Sequence, residues 1–101
     1  MSDDSFGGFA PPPFKPEDAL QQIKRALRDL KLAERGQGFD LRGKPVLDLQ
    51  LERGAPAISV RIARKLALTP EWDKQRVTSA GEQRKLIDEV KKRLARWDRE
   101  E

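Results

Sequence analysis

Cysteine and histidine are both absent from the 101 residues of this chain. Without thiols and imidazoles the chain can form no disulfide, cysteine nucleophile, histidine base or zinc site built from these ligands. It also lacks a glycine-rich dinucleotide motif, a Walker loop and a nucleophile elbow. Most of its 17 carboxylates adjoin Lys or Arg on expected polar faces, as solvated ion-pair partners would. We therefore expect a protein that is not an enzyme and holds no metal or cofactor.

Long apolar runs are also missing. No stretch of eighteen apolar residues occurs, which predicts that nothing in the chain spans a membrane. Asp3 and Asp4 stand near the start, where an export signal would have basic and then apolar residues. We therefore expect no export and favour a cytoplasmic location.

Positive charge is what the chain has in excess. The formal net charge is +4, but residues 16–97 contain 19 Lys/Arg and 12 Asp/Glu, giving +7 for this part. A basic domain attracts phosphate groups and acidic partners. The length leaves room for one domain with a modest core.

A β-hairpin is predicted over residues 45–63. Leucines alternate with polar residues in 47–52, and apolar residues alternate again in 58–63 after Arg53 and Gly54. Alternation with period two is typical of strands that bury one face. A two-residue loop at Arg53 and Gly54 would place Leu49 opposite Ile58, so that the apolar residues of both strands share a face.

Two amphipathic helices flank this hairpin. Pro16 suits a first helical turn, and an apolar stripe follows it at 20, 23, 27 and 30; we predict a helix from 16 to about 34, ended by Gly36. Ser79 and Glu82 have the spacing of a capping box at the start of the second helix. Its buried stripe is predicted to comprise Leu86, Ile87, Val90, Leu94 and Trp97.

A shorter strand is predicted at 38–41, with Phe39 and Leu41 pointing inward. For these residues to share a face with Leu47, the turn before Pro45 needs an odd number of residues or a bulge. Residues 64–78 have no clear period, so a strand, a helical turn and a loop all stay open for them, with Trp72 and Trp97 interpreted as core residues.

These elements predict an α+β fold: a helix, a three-stranded antiparallel β-meander and a second helix. Both helices would cover one face of the sheet, and the other face would be open and free of aromatic residues. Residues 1–14, which contain Gly, Pro and Phe, are interpreted as a flexible arm of unassigned role, with Phe14 able to fold back as a staple on the first helix. Residues 15–98 form the domain, and 99–101 a frayed end.

The basic surface supplies candidate contacts to phosphate. They are Arg42, Lys44, Arg61, Arg64, Lys65, Arg84, Lys85, Lys91 and Lys92. The alternative for Arg61 is an ordinary cross-strand ion pair with Asp48. We favour a non-catalytic module that binds another protein through the open sheet face or an edge strand. Binding to the backbone of duplex RNA or DNA is the alternative, and the identity of the partner and the oligomeric state stay open.

The predicted order of elements resembles that of double-stranded RNA-binding domains over residues 16–97. In that family the first helix, the first strand-to-strand loop and the start of the last helix contact RNA, which here implies Arg42 and Lys44, and Arg84 and Lys85. The histidine usual in that loop is absent from this chain. The segment Leu-Ala-Leu-Thr-Pro-Glu-Trp-Asp at 66–73 is also similar to that of small bacterial proteins of no known function, which implies no activity or ligand.

Overall fold

The computed structural model describes residues 14–99. In this range the chain forms two helices and five strands: α1 (Pro16–Asp29), β1 (Ala33–Arg35), β2 (Gly38–Leu41), β3 (Lys44–Leu51), β4 (Ile58–Ala63), β5 (Trp72–Val77) and α2 (Ala80–Trp97). The strands form one antiparallel sheet in chain order. The α+β class is confirmed, but the sheet has two more strands than the predicted meander. The arm predicted for 1–14 lies outside the described residues, apart from Phe14.

Helix α1 ends earlier than predicted. Lys31, not a glycine, adopts a left-handed conformation with φ of 72°. Its N–H donates to the carbonyl of Arg28, and the N–H of Leu32 donates to that of Leu27, which is the Schellman pattern of a helix end. The chain can then form β1, which pairs with β2 where the longer helix was expected.

The turn between β2 and β3 contains two residues, both with positive φ: Arg42 at 53° and Gly43 at 79°. Two positive φ angles in a two-residue loop are typical of a type I′ turn, whose twist matches that of the paired strands. The register then shifts after Phe39, so that Val46 and Leu47 are both buried although they are adjacent. The predicted bulge is thus present, and it brings Phe39 opposite Leu47.

The register of β3 against β4 differs from the prediction by two residues. Leu49 lies opposite Val60, and Ile58 lies opposite Leu51. The loop is longer than two residues, because the N–H of Glu52 donates to the carbonyl of Ala57 at 3.0 Å. A shift by an even number leaves the apolar residues of both strands on one face, as predicted.

The stretch left open at 64–78 contains strand β5. It pairs along its whole length with β4, from Trp72 opposite Ala63 to Val77 opposite Ile58. The N–H of Arg64 extends this ladder by donating to Glu71 at 2.9 Å. Leu68, in the loop before the strand, is 72% exposed.

Buried residues from both helices and four strands form a single core cluster. Helix α1 contributes Ala19, Ile23 and Leu27, and α2 contributes Leu86, Val90 and Trp97, which is fully buried. Ile87 and Leu94 of the predicted stripe are only partly buried, as are Leu20 in α1 and Leu30 directly after it. Phe14 packs against the same cluster, as a staple at the start of α1 would.

The start of α2 is capped as predicted at Ser79, whose Oγ accepts from the N–H of Glu82 at 3.2 Å. The Glu82 carboxylate does not return to Ser79 but accepts from the N–H and hydroxyl of Thr78, at 2.7 and 2.6 Å. These hydrogen bonds, with a smaller contribution from Lys85, hold the pKa of Glu82 below its usual value. Thr78 and Glu82 therefore fix the passage from β5 into α2.

Candidate protein-binding surface

Alternate residues of the three longest strands form a polar face of the sheet. It comprises Asp48, Gln50, Ser59, Arg61, Lys74 and Arg76, and we call this set the polar face. Asp48, Arg61 and Lys74 stand in one row across the strands, and Gln50, Ser59 and Arg76 in the next. A shallow depression of about 450 Å³ lies along these rows. The face is therefore accessible, but it is not a deep pocket for a small molecule.

The arginines of the polar face are already engaged by carboxylates. Arg61 forms an ion pair with Asp48. Arg76 binds both carboxylate oxygens of Glu52, at 2.8 and 2.9 Å, and Ser59 Oγ donates to the same carboxylate at 2.9 Å. The hydrogen bonds from Arg76 and then Ser59 lower the pKa of Glu52. The predicted alternative for Arg61, an ion pair with Asp48, is thus confirmed.

Trp72 corrects the prediction that no aromatic residue lies on this face. It pairs with Ala63, two residues from Arg61, so its side chain projects from the same side as that of Arg61. The Arg61 guanidinium lies over the indole ring, 5.0 Å from its centroid, in a cation–π contact. Trp72 is half-buried, and it also packs against the core cluster.

The two edges of the sheet differ in length and in the groups they present. β1 is only three residues long, whereas β5 has six. Because Arg64 and Glu71 form a hydrogen-bonded pair, alternation makes Asp73, Gln75 and Val77 the residues of β5 that bond to β4. The backbone N–H and C=O groups of Trp72, Lys74 and Arg76 therefore point away from the sheet. We call this row the β5 edge.

A second depression, of about 570 Å³, lies between β5 and α2, and we call it the helix-side depression. Lys74, Lys85 and Lys92 line it, and none of the three forms an ion pair with another residue between 14 and 99. Both depressions share Lys74 and Gln75. A depression therefore lies beside the β5 edge on each of the two faces of the sheet.

Arg93 neutralises two of the three acidic residues that line this second depression. It forms ion pairs with Asp73 at 3.0 Å and with Glu89 at 2.7 Å, and it donates to the carbonyl of Ala63. Arg64 binds Asp73 as well, at 2.7 Å, and these contacts, that of Arg64 foremost, lower the pKa of Asp73. Asp88, which also lines the depression, forms no ion pair among residues 14–99.

The candidate phosphate contacts from the sequence are spread over several surfaces. Three have carboxylate partners: Arg42 pairs with Asp98 at 3.2 Å, Arg61 with Asp48, and Arg64 with Asp73 and Glu71. Within the described part of the chain, no ion pair involves the other six: Lys44, Lys65, Arg84, Lys85, Lys91 and Lys92.

The six unpaired candidates do not form one patch. Lys85 and Lys92 meet at the helix-side depression, whereas Arg84 and Lys91 line another depression between the two helices. Lys44 begins β3, and Lys65 lies in the loop after β4. Lys74 is not among the predicted contacts, because nothing in the polar stretch 73–76 predicts a strand edge there.

Two further properties bear on function. No cluster of acidic side chains between residues 14 and 99 could hold a metal ion. Neither helix of this range has the length and apolar character needed to cross a membrane.

The chain matches no protein-family model, and no curated protein or solved structure is similar enough to count as a match.

Proposed function

We propose that this protein is a non-catalytic adaptor that binds an extended segment of another protein as a sixth strand at the β5 edge. The observation that carries the proposal is the row of outward N–H and C=O groups at Trp72, Lys74 and Arg76 on a six-residue terminal strand. Such a row is a template for a peptide strand, which gains affinity from main-chain hydrogen bonds.

The β5 edge suits this role better than the other edge of the sheet. In β1 only Glu34 presents its backbone outward, because Ala33 and Arg35 pair with β2 on hydrogen-bonding positions. One residue cannot align a partner strand, whereas three alternate residues can fix its direction and register.

We further propose that both helices lie on the apolar face of the sheet, which leaves the polar face accessible beside β5. Side chains of an added strand would then point alternately to the polar face and towards α2. A cytoplasmic location belongs to the same proposal.

Nucleic-acid binding is the second candidate, favoured by the basic residues of α2 that form no ion pair with a carboxylate between residues 14 and 99. Arg84 and Lys91 are both exposed and line the depression between the helices. Titration with duplex RNA at two salt concentrations tests this candidate, since binding to phosphates weakens steeply as salt rises. Absence of binding at low salt would eliminate it.

Two substitutions at Lys74 test the adaptor proposal. Proline has no N–H, so Lys74→Pro removes an outward donor while leaving the hydrogen bonds between β4 and β5 in place. Lys74→Thr removes the same charge but keeps the N–H and suits a strand. We expect the proteins that the unaltered chain captures from a cell extract to be captured at somewhat lower yield by Lys74→Thr, which loses only the charge, and to be lost from Lys74→Pro.

Circular dichroism first establishes that both variants are folded. A partner bound equally by all three chains would show that β5 is not the docking edge. If the unaltered chain enriches no protein relative to Lys74→Pro, the adaptor proposal is wrong.

A further inference from the structure

The lysines around the β5 edge identify the chemistry of its partner. We infer that the added strand is acidic, with one carboxylate against Lys74 on the polar face and neighbouring carboxylates against Lys85 and Lys92 on the helix side. This inference rests on the proposed function, and it concerns which sequence the edge selects.

The balance of charges supports this selection. Around the helix-side depression, Asp73 and Glu89 are held by Arg64 and Arg93, so their negative charge is compensated within the protein. Of the charged side chains that α2 contributes to it, Lys85, Lys92 and one carboxylate, Asp88, form no ion pair with residues 14–99. A ligand therefore meets surplus positive charge on this side.

The geometry of a sheet brings both sets of lysines within reach of one strand. A residue of the partner opposite Lys74 would project to the polar face, with its Cβ about 5 Å from that of Lys74. The residues before and after it would project to the other side, towards Lys85 and Lys92. A segment with acidic residues at successive positions therefore satisfies both faces.

A second copy of this chain fits the edge poorly. Antiparallel pairing of two β5 strands would place Lys74 and Arg76 of one copy against the same residues of the other. Like charges directly opposite are destabilising, and lysine on an edge strand opposes self-pairing. Charge repulsion therefore disfavours pairing between two copies at the β5 edge, whereas an acidic strand is attracted to it.

Three capped peptides test the inference on the full chain. The first has three successive glutamates flanked by threonines, the second has glutamine in place of each glutamate, and the third is the first with N-methylated backbone amides. Calorimetry gives affinity, and amide shifts at Trp72, Lys74 and Arg76 report where each peptide binds. We expect the acidic peptide to bind at the β5 edge and both counterparts to bind more weakly.

Variants of α2 provide matched controls. Lys91 and Lys92 are adjacent and both exposed, but only Lys92 lines the helix-side depression, and Lys91 lines the depression between the helices. We expect Lys74→Gln combined with Lys92→Gln to raise the Kd of the acidic peptide about fivefold, since each exposed charge contact contributes modestly. Lys91→Gln should leave this Kd unchanged.

The outcomes separate this inference from the proposed function. Equal binding of the glutamine peptide at the β5 edge would overturn the acidic selection and leave strand addition intact. Equal binding of the N-methylated peptide would overturn strand addition, because its charge is unchanged. Binding of duplex RNA that competes with the acidic peptide and depends on Lys74 would also overturn the inference, because the lysines would then recognise phosphate rather than an acidic strand.

Discussion

Ile58 and Leu51 lie directly opposite each other on the same face of the sheet, yet their environments differ. Ile58 is fully buried, whereas Leu51 is 38% exposed. Truncation of a buried isoleucine loses its transfer free energy and leaves a cavity, so Ile58→Ala should lower the free energy of unfolding by about 2–5 kcal/mol. Leu51→Ala, on the solvated side of the same pair, should cost about 1 kcal/mol or less.

Urea unfolding measures the free energy of unfolding of each variant. We expect the slope of this free energy against urea concentration to be the same for both variants. Equal costs would show that the core extends past Leu51 to the end of the hairpin, contrary to the burial described above.

Glu52 makes the polar face sensitive to acid. Its pKa lies below the usual 4.5 in the folded protein, chiefly because Arg76 donates to the carboxylate and secondly because Ser59 does. A carboxylate with a lowered folded-state pKa contributes stability above its unfolded-state pKa, and loses it as the pH falls through the folded-state value. We therefore expect Glu52→Gln to lower Tm at neutral pH and to have a smaller effect at about pH 3.

Arg76→Gln provides the matched test, because it removes the main cause of the shift and keeps the carboxylate. Thermal melts followed by circular dichroism at both pH values should show a loss at neutral pH that fades in acid. A Tm difference that is the same at both pH values would mean that Glu52 acts through packing alone.

The sequence predicted the burial of individual residues well wherever apolar side chains set the period. The period of two predicted correctly that Leu47, Leu49, Val60 and Ile62 share one face of the sheet, although the predicted register of β3 against β4 was wrong by two residues. Trp72 was different, because its neighbours in 73–76 are all polar and carry no apolar period. Its place beside Arg61 depends on pairing with Ala63, which only the assembled sheet specifies.

At the scale of elements, the end of α1 offers a direct test of backbone strain. Lys31 holds the left-handed position of the Schellman motif, which glycine occupies in most helices because a Cβ is unfavourable there. Lys31→Gly should therefore raise the free energy of unfolding by about 1 kcal/mol.

Arg25→Gly serves as the control of opposite sign. Arg25 is exposed within α1, where glycine is less favourable than ordinary residues by about 1 kcal/mol. Urea unfolding of both variants gives the sign of each change in the free energy of unfolding. If Lys31→Gly destabilises the protein as Arg25→Gly does, the left-handed conformation at Lys31 is not strained.

The same helix end explains why one strand was missed. Without a glycine at 31, the sequence shows no helix end before Gly36, and β1 consists of Ala33, Glu34 and Arg35, all exposed. β5 was left open for a related reason, since only Trp72 and Val77 are apolar at its ends. β1 and β5 are the two edge strands of the sheet, and their formation depends on pairing with a neighbouring strand rather than on their own composition.

At the scale of the whole molecule, net charge indicated a class of partner but not a surface. The sequence supplied Lys85 and Lys92, and the fold places them beside Lys74, which comes from a strand that no pattern predicted. Arg61 and Arg64 were equally plausible from charge alone, but the fold gives each a carboxylate partner. The proposed binding surface, assembled from β5 and α2, therefore follows only from the fold.

Sheet order also predicts how copies of this protein behave towards one another. The β5 edge is long enough to pair with a second copy, and its exposed side chains at Lys74 and Arg76 are the groups that oppose such pairing. We therefore expect the unaltered protein to be monomeric by light scattering. Lys74→Val combined with Arg76→Val should associate, because both positions then favour a strand and the two positive charges that face a second copy are removed.

A matched variant separates edge pairing from general loss of charge. Lys91→Val and Arg84→Val remove two positive charges from exposed positions on α2, away from the β5 edge. This variant should stay monomeric if backbone pairing at β5 drives association, because the charges that guard the edge are unchanged. Association of both variants alike would show that surplus charge on the whole surface, rather than the two side chains on β5, keeps the copies apart.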